Sequence, residues 1–316
     1  MESKNIALVT GGSGFIGCNL VKRLVKYGYE VNLIVRPNSD ISGLNGFKGK
    51  VKFYHGDICD ADFLKRVVLN IKPDRVYHLA ASIKRDRDLK VIDELMKSNF
   101  IGTLNLLDAV KNASLESFVF ASTSDVYGDG EPPFKESQAI NPLNPYALSK
   151  AAAEMVCKLY FKTFGVPIVV LRMTIVYGPH QKPELLIPEL IIKAIKNQDF
   201  KMTGGEQERD VIFIDDVIDA FIKASSNKKA IGETINIGSG KKYKIIDIVK
   251  TILDMMGNPI IPQIGALEYR KNEIWKLYCN NKKARDLIGW KPVTSLQEGI
   301  KKTVDWYFDA FNNQQL

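Results

Sequence analysis

Within the first twenty residues an apolar run, Ile6–Val9, passes into Thr10-Gly11-Gly12-Ser13-Gly14-Phe15-Ile16-Gly17, and a helical pattern follows to Lys26. The stretch holds both GxxGxxG (Gly11, Gly14, Gly17) and GxGxxG (Gly12, Gly14, Gly17). Glycines at this spacing permit a tight strand-to-helix turn and let the backbone approach a bulky anion. The helix that follows offers unpaired N–H groups and the positive end of its dipole to a phosphate. A glycine motif alone is weak evidence. Set between a strand and a helix, at the head of an alternating series, it predicts a dinucleotide-binding βαβ unit. Gly11, Gly14, Phe15, Ile16 and Gly17 are the candidate contacts.

The alternation continues. Glu30–Val35, Val51–Tyr54, Arg75–Leu79, Ser117–Ala121 and Pro167–Leu171 read as strands. Ile16–Lys26, Ala61–Asn70, Leu95–Asn112 and Tyr146–Phe164 read as helices between them. Strands alternating with helices predict a parallel sheet covered on both faces, closed by right-handed crossovers into a doubly wound α/β fold of the Rossmann type. Beyond about Val176 the rhythm breaks, and Pro179, Pro183, Pro188, Pro259, Pro262 and Pro292 punctuate shorter pieces. The expected division is a dinucleotide-binding domain over 1–175 and a smaller C-terminal α/β substrate domain over 176–316. Residues 211–240 are expected to return to the first domain.

An acidic residue after the second strand would grip the ribose 2′-hydroxyl of NAD. This strand ends instead in Leu33-Ile34-Val35-Arg36-Pro37. Arg36 can pair with a 2′-phosphate or stack on adenine, which favours NADP(H), with NAD(H) the other option. Asp57 and Ile58, after the third strand, are placed to cap the adenine edge.

Composition excludes several classes. No apolar run reaches the roughly 20 residues of a membrane helix, and the polar start Met1–Asn5 does not read as a signal peptide. Cys18, Cys59, Cys157 and Cys279 lie far apart, and the chain has three histidines, so no metal site is expected. These features fit the cytoplasm. The formal net charge is +8, but the basic residues are dispersed and no nucleic-acid-binding signature accompanies them. The excess suits an anionic small molecule.

Tyr146-Ala147-Leu148-Ser149-Lys150 sets a tyrosine and a lysine four apart on one helix face. An ammonium about 4 Å from a phenol, at an effective dielectric near 20, is worth about 4 kcal/mol, or about three pKa units. That brings the phenol into range for acid/base work on an alcohol or ketone. The spacing is common on helices, and it gains meaning from the glycine loop and from Ser122-Thr123-Ser124 at a strand's C-terminal end, where such a sheet binds ligands.

Taken in order, Thr10–Gly17, His78-Leu79-Ala80-Ala81, Asn99, Ser122–Gly128, Tyr146–Lys150 and Val176-Tyr177-Gly178-Pro179 resemble the successive motifs of the extended short-chain dehydrogenases. Arg209-Asp210, Phe213–Val217, Asn236–Gly240 and Leu287–Pro292 extend the resemblance over nearly the whole chain. It points to the epimerases, dehydratases, decarboxylases and 4-ketoreductases that act on nucleotide-linked sugars. It implies that Thr123 hydrogen-bonds the reacting sugar oxygen, that Tyr146 exchanges its proton, and that Lys150 holds the nicotinamide ribose. It places Leu79, Ala80, Ala81 and Asn99 beside the cofactor and Ser124, Arg209 and Arg270 beside the substrate. It also implies a homodimer built on the helices around Leu95–Asn112 and Tyr146–Phe164. Their extra apolar residues are Ile101, Leu104, Leu107 and Val110 on the first, and Ala151, Met155, Leu159 and Tyr160 on the second.

Three positions bear on the reaction. Asp125 stands where 4,6-dehydratases carry a carboxylate for the C5 proton, as base or as turn stabiliser, but Ser124 replaces a frequent second acid. Ile175 stands where relatives often have Asn. The tail Gly265–Glu273 looks most like that of 4-keto-6-deoxysugar reductases. Together with Arg36, the tail favours an NADPH-dependent 4-ketoreductase, with a 4-epimerase as the alternative and a dehydratase third.

Overall fold

The computed structural model describes residues 5–84 and 88–313. Of the polar start Met1–Asn5, residues 1–4 lie outside them. The first half runs β1 (Ile6–Thr10), α1 (Phe15–Lys26), β2 (Glu30–Val35), β3 (Val51–His55), α2 (Ala61–Ile71), β4 (Arg75–His78) and α3 (Ile92–Leu95). It continues α4 (Gly102–Val110), β5 (Ser117–Thr123), α5 (Pro145–Phe164) and β6 (Ile168–Met173). The second half holds β7 (Ile175–Tyr177), α6 (Leu186–Ile195), β8 (Lys201–Met202), β9 (Glu208–Arg209), β10 (Val211–Phe213), α7 (Ile214–Ser226) and β11 (Thr234–Ile237). It closes with β12 (Tyr243–Lys244), α8 (Ile245–Met255), β13 (Gln263–Ile264), β14 (Lys276–Leu277), α9 (Lys282–Ile288) and α10 (Leu296–Asn312).

Seven strands form one parallel sheet in the order β11-β6-β5-β4-β1-β2-β3. This is the doubly wound α/β fold. The strands are near-continuous apolar runs because both faces are covered, and every residue of β5 is buried. One apolar cluster joins α1 and α7 to the sheet and reaches into the second half, and another joins α2, α4 and α5 to it. Leu107 and Val110 of α4, with Tyr160 of α5, belong to that second cluster. Thr234–Ile237 pairs with β6 in the main sheet, whereas Val211–Phe213 pairs with β7 in a separate two-stranded sheet. Chain direction across the sheet reverses between β1 and β4, so their C-terminal ends open a crevice between them, the place where open α/β sheets bind ligands.

Local chemistry sets the helix that carries the Tyr–Lys pair. Asn144 caps α5 by accepting from Ala147 N at 2.8 Å, Pro145 starts the first turn, and Gly165 ends it at φ 71°. The segment joining α3 to α4, Met96–Ile101, is a π-helical stretch, and Asn99 lies fully buried within it.

Candidate active site

The glycine loop lies at the crevice. Gly11 has φ +72°, and a Cβ there would come within 2.5 Å of Ala80 N, so loop and β4 end touch backbone to backbone. A Cβ on Gly17 would come within 2.1 Å of Gly11 O; the missing side chain lets α1 begin directly against the turn. Gly14 is the N-cap of α1, without a capping side chain, and the first turn carries no acid. Its leading N–H groups suit a pyrophosphate. The loop thus fits a dinucleotide on its own geometry.

Behind the crevice runs a buried hydrogen-bonded chain. Thr103 Oγ1 donates to Asn99 O at 2.5 Å, so its oxygen is left to accept from His78 Nε2 at 2.9 Å. His78 Nδ1 then accepts from Thr10 Oγ1 at 2.6 Å, and Thr10 Oγ1 accepts from Ala80 N at 3.3 Å. This polarity needs a neutral imidazole. Burial, aided by the Lys150 charge, pushes His78 down to about 3 and keeps it neutral. Asn99 turns the other way: Oδ1 accepts from Ser82 N (2.7 Å), and Nδ2 donates to Ser82 O (3.0 Å) and Ser149 Oγ (2.9 Å). Ser149 Oγ donates to the Tyr146 carbonyl at 2.8 Å. One network therefore ties β1, β4 and the π-helical stretch to the turn of α5 that bears Tyr146.

Lys150 is buried, with Nζ 4.1 Å from the Phe120 ring centroid. Burial brings it down to about 8. Tyr146, one turn earlier, is half-buried. Thr123 ends β5, and its Oγ1 accepts from Asp125 N at 3.2 Å, capping the short turn Ser124–Tyr127. Asp125 is half-buried, whereas Ser124 is 1% exposed. Ser124 is thus packed away at the start of the turn that carries Asp125.

The other candidates take varied places. Arg36 is exposed at the end of β2. Asp57 Oδ1 accepts from Cys59 N at 2.8 Å and so stabilises its own turn, and Ile58 is buried where Gly102 leaves room for it. Leu79, Ala80 and Ala81 are half-buried at the crevice edge. Arg209 is not an open cation: it meets Glu273 at 2.7 Å, with both side chains almost buried, and donates to Glu208 O and Trp275 O. A guanidinium held out of water needs such a partner. Arg270 is exposed. A groove of about 950 Å³ lies elsewhere, between α5, β6, β11 and α9, and neither Thr123 nor Tyr146 lines it. Among the described residues no group of acids, cysteines and histidines is arranged for a metal, and no helix is long and apolar enough to cross a membrane.

Residues 8–303 match the family model described as GDP-mannose 4,6 dehydratase. With the site above, that match decides the family. The chain belongs to the extended short-chain dehydrogenases. It is 33% identical to the human dTDP-D-glucose 4,6-dehydratase over 97% of its own length and 91% of that protein's. Its fold superposes with a TM-score of 0.91 on the UDP-glucose 4-epimerase of Thermotoga maritima, at 29% identity, covering 97% and 99% of the two chains. A UDP-glucuronic acid 4-epimerase from Bacillus cereus, solved with UDP-glucuronic acid and NAD, gives 0.87 at 32% identity over 96% and 99%. As an extended short-chain dehydrogenase the protein is an enzyme of the nucleotide-sugar epimerase and dehydratase group. The ketoreductase expectation and the NADP(H) preference find no support among these relatives. The resemblance of the Gly265–Glu273 tail and the lone Arg36 were too local to carry either.

Proposed function

We propose that the protein is a redox-neutral nucleotide-sugar 4-epimerase that works with bound NAD(H). The observation that supports this reading is that Thr123 ends β5 while Tyr146 and Lys150 lie in the first turns of α5, which packs against β5, with Ser124 buried where a dehydratase would often present a second acid. Tyr146 takes the proton of the sugar 4-hydroxyl, and Lys150, charged below about pH 8, favours the phenolate that receives it. The Thr123 hydroxyl donates to the same sugar oxygen. A dinucleotide held at the glycine loop would supply the hydride acceptor and donor for C4. Tyr146 returns its proton to the oxygen of the turned 4-keto sugar, so the reaction consumes nothing. The candidate nucleotide contacts are the glycine loop, Asp57, Ile58, Leu79–Ala81 and Asn99. The B. cereus structure with NAD supports the unphosphorylated cofactor.

A 4,6-dehydratase is the second reading. It is favoured by the half-buried Asp125 carboxylate beside Thr123 and by the human relative. One experiment separates the two. The purified protein is expected to release NAD(H), not NADP(H), on denaturation. Among a panel of nucleotide sugars it should interconvert one 4-epimer pair without added reductant. Asp125→Asn should keep most of that activity, since no C5 proton moves. Solvent deuterium at C5 and C6 of the product, abolished in Asp125→Asn, would promote the dehydratase. Net consumption of NADPH would sink both.

We also propose that the protein is a homodimer through α5 and the π-helical stretch that leads into α4. The stripe differs from the expected one: Leu107, Val110, Ala151 and Tyr160 are buried within the chain, while Ile101, Leu148, Met155 and Leu159 are 38–62% exposed. A monomer by light scattering at micromolar concentration refutes this.

A further inference from the structure

Glu154 is 7% exposed, one turn beyond Lys150 on α5, and no step of the chemistry above uses it. A carboxylate is costly to bury unless it is paired and hydrogen-bonded. Glu154 is both. From β6, Arg172 Nε donates to its two oxygens at 3.0 and 3.1 Å, and Arg172 Nη2 donates at 2.6 Å. From β5, Ser122 Oγ donates to Glu154 Oε1. Ser122 precedes Thr123 in the chain, and Arg172 lies opposite Ser122 in the sheet register. The guanidinium also lies 4.8 Å from the Tyr127 ring centroid, and Tyr127 ends the turn that carries Asp125.

We propose that Glu154 is a positioning residue, which locks the Thr123-bearing end of β5 to the helix that carries Tyr146 and Lys150. It rests on the reading of those three residues as the reacting groups. One carboxylate spans α5, β5 and β6 at the level where the chemistry is placed, so the separation of the Thr123 hydroxyl from the Tyr146 phenol is set by a fixed bridge. Charge adds to this. Among the described residues, the groups that act on Lys150 include Cys157 and Glu154 from its own helix, His78 from β4 and the Phe120 ring from β5. Burial keeps the Cys157 thiol and the His78 ring neutral. The Glu154 carboxylate therefore offsets part of the penalty that burial sets on the Lys150 ammonium, even with Arg172 drawing on it from β6.

Two variants of the whole protein test this. Glu154→Gln keeps the shape and a carbonyl acceptor but removes the charge; Ser122→Ala keeps the charge and cuts the link to β5. Lys150 is followed by ¹³C NMR of labelled lysine, assigned by its absence in Lys150→Met. In Glu154→Gln its titration midpoint is expected to fall below the parental value of about 8. In Ser122→Ala the midpoint is expected to stay, while turnover of the nucleotide sugar falls about 10-fold or more with little change in KM, the cost of misplacing a reacting group. A folded Glu154→Gln protein with the parental midpoint overturns the proposal, as does Ser122→Ala with parental turnover, even if its thermal midpoint has dropped. Should Glu154→Gln not fold, Ser122→Ala decides. If the parent turns over no nucleotide sugar, the functional reading fails, and the Lys150 titration still judges Glu154.

Discussion

Tyr146→Phe is expected to lower turnover by about 10²–10⁴, the range for losing a positioned acid/base group, while NAD(H) affinity stays within a few-fold of the parent. The structure gives a reason for the clean separation. The network that fixes this turn of α5 reaches Tyr146 through its backbone carbonyl, which accepts from Ser149 Oγ at 2.8 Å. Removing the phenol oxygen leaves that bond, the Asn99 clamp and the Lys150 packing on Phe120 in place. Single-turnover measurements on the nucleotide sugar found in the panel, with cofactor titration alongside, check it. Parental turnover in Tyr146→Phe would remove Tyr146 from the reaction altogether.

Arg172→Met is expected to be strongly destabilising. It deletes the hydrogen bonds that hold Glu154 and leaves a carboxylate that is 7% exposed without its counter-charge. Breaking a buried pair from one side costs about 3–5 kcal/mol, which for a chain of this size lowers the thermal midpoint on the order of 10 °C. Replacing both partners, Arg172→Met with Glu154→Leu, should recover much of the loss, because no buried charge is then stranded. Denaturant unfolding of the parent, single and double variants measures this. A single variant within about 1 kcal/mol of the parent would show that the pair is not the buried electrostatic element described above.

The parts of this molecule that were legible in the sequence are those encoded by near neighbours. The glycine turn, the β/α alternation and the Tyr146–Lys150 spacing each sit within a few residues, and the helix expected over Tyr146–Phe164 spans Pro145–Phe164. Pairings across elements were not legible. Arg172 lies inside an apolar strand and Glu154 falls four residues after Lys150; a charge in the middle of a buried strand demands a partner, and that demand was the available signal. The Arg209–Glu273 pair spans two segments far apart in sequence, so Arg209 read as an open cation. Of the extra apolar residues on these helices, Ile101, Met155 and Leu159 are exposed as expected, whereas four others are buried. Periodicity does not tell which neighbour a helix leans on, and packing within the chain claims Leu107, Val110, Ala151 and Tyr160.

The π-helical stretch Met96–Ile101 makes residue count an angular setting. Such a stretch holds one residue more than the α-helix around it, and in an α-helix one residue is about 100° of rotation. Dropping a single residue there would let an unbroken α-helix close with its backbone hydrogen bonds intact. It would also swing everything upstream away from Thr103, and Asn99 would lose its common bearing on Ser82 and Ser149. Length change in this segment is therefore unlike length change in a loop. The loss of one codon could retire the site in a descendant chain while the strands of the main sheet stayed paired.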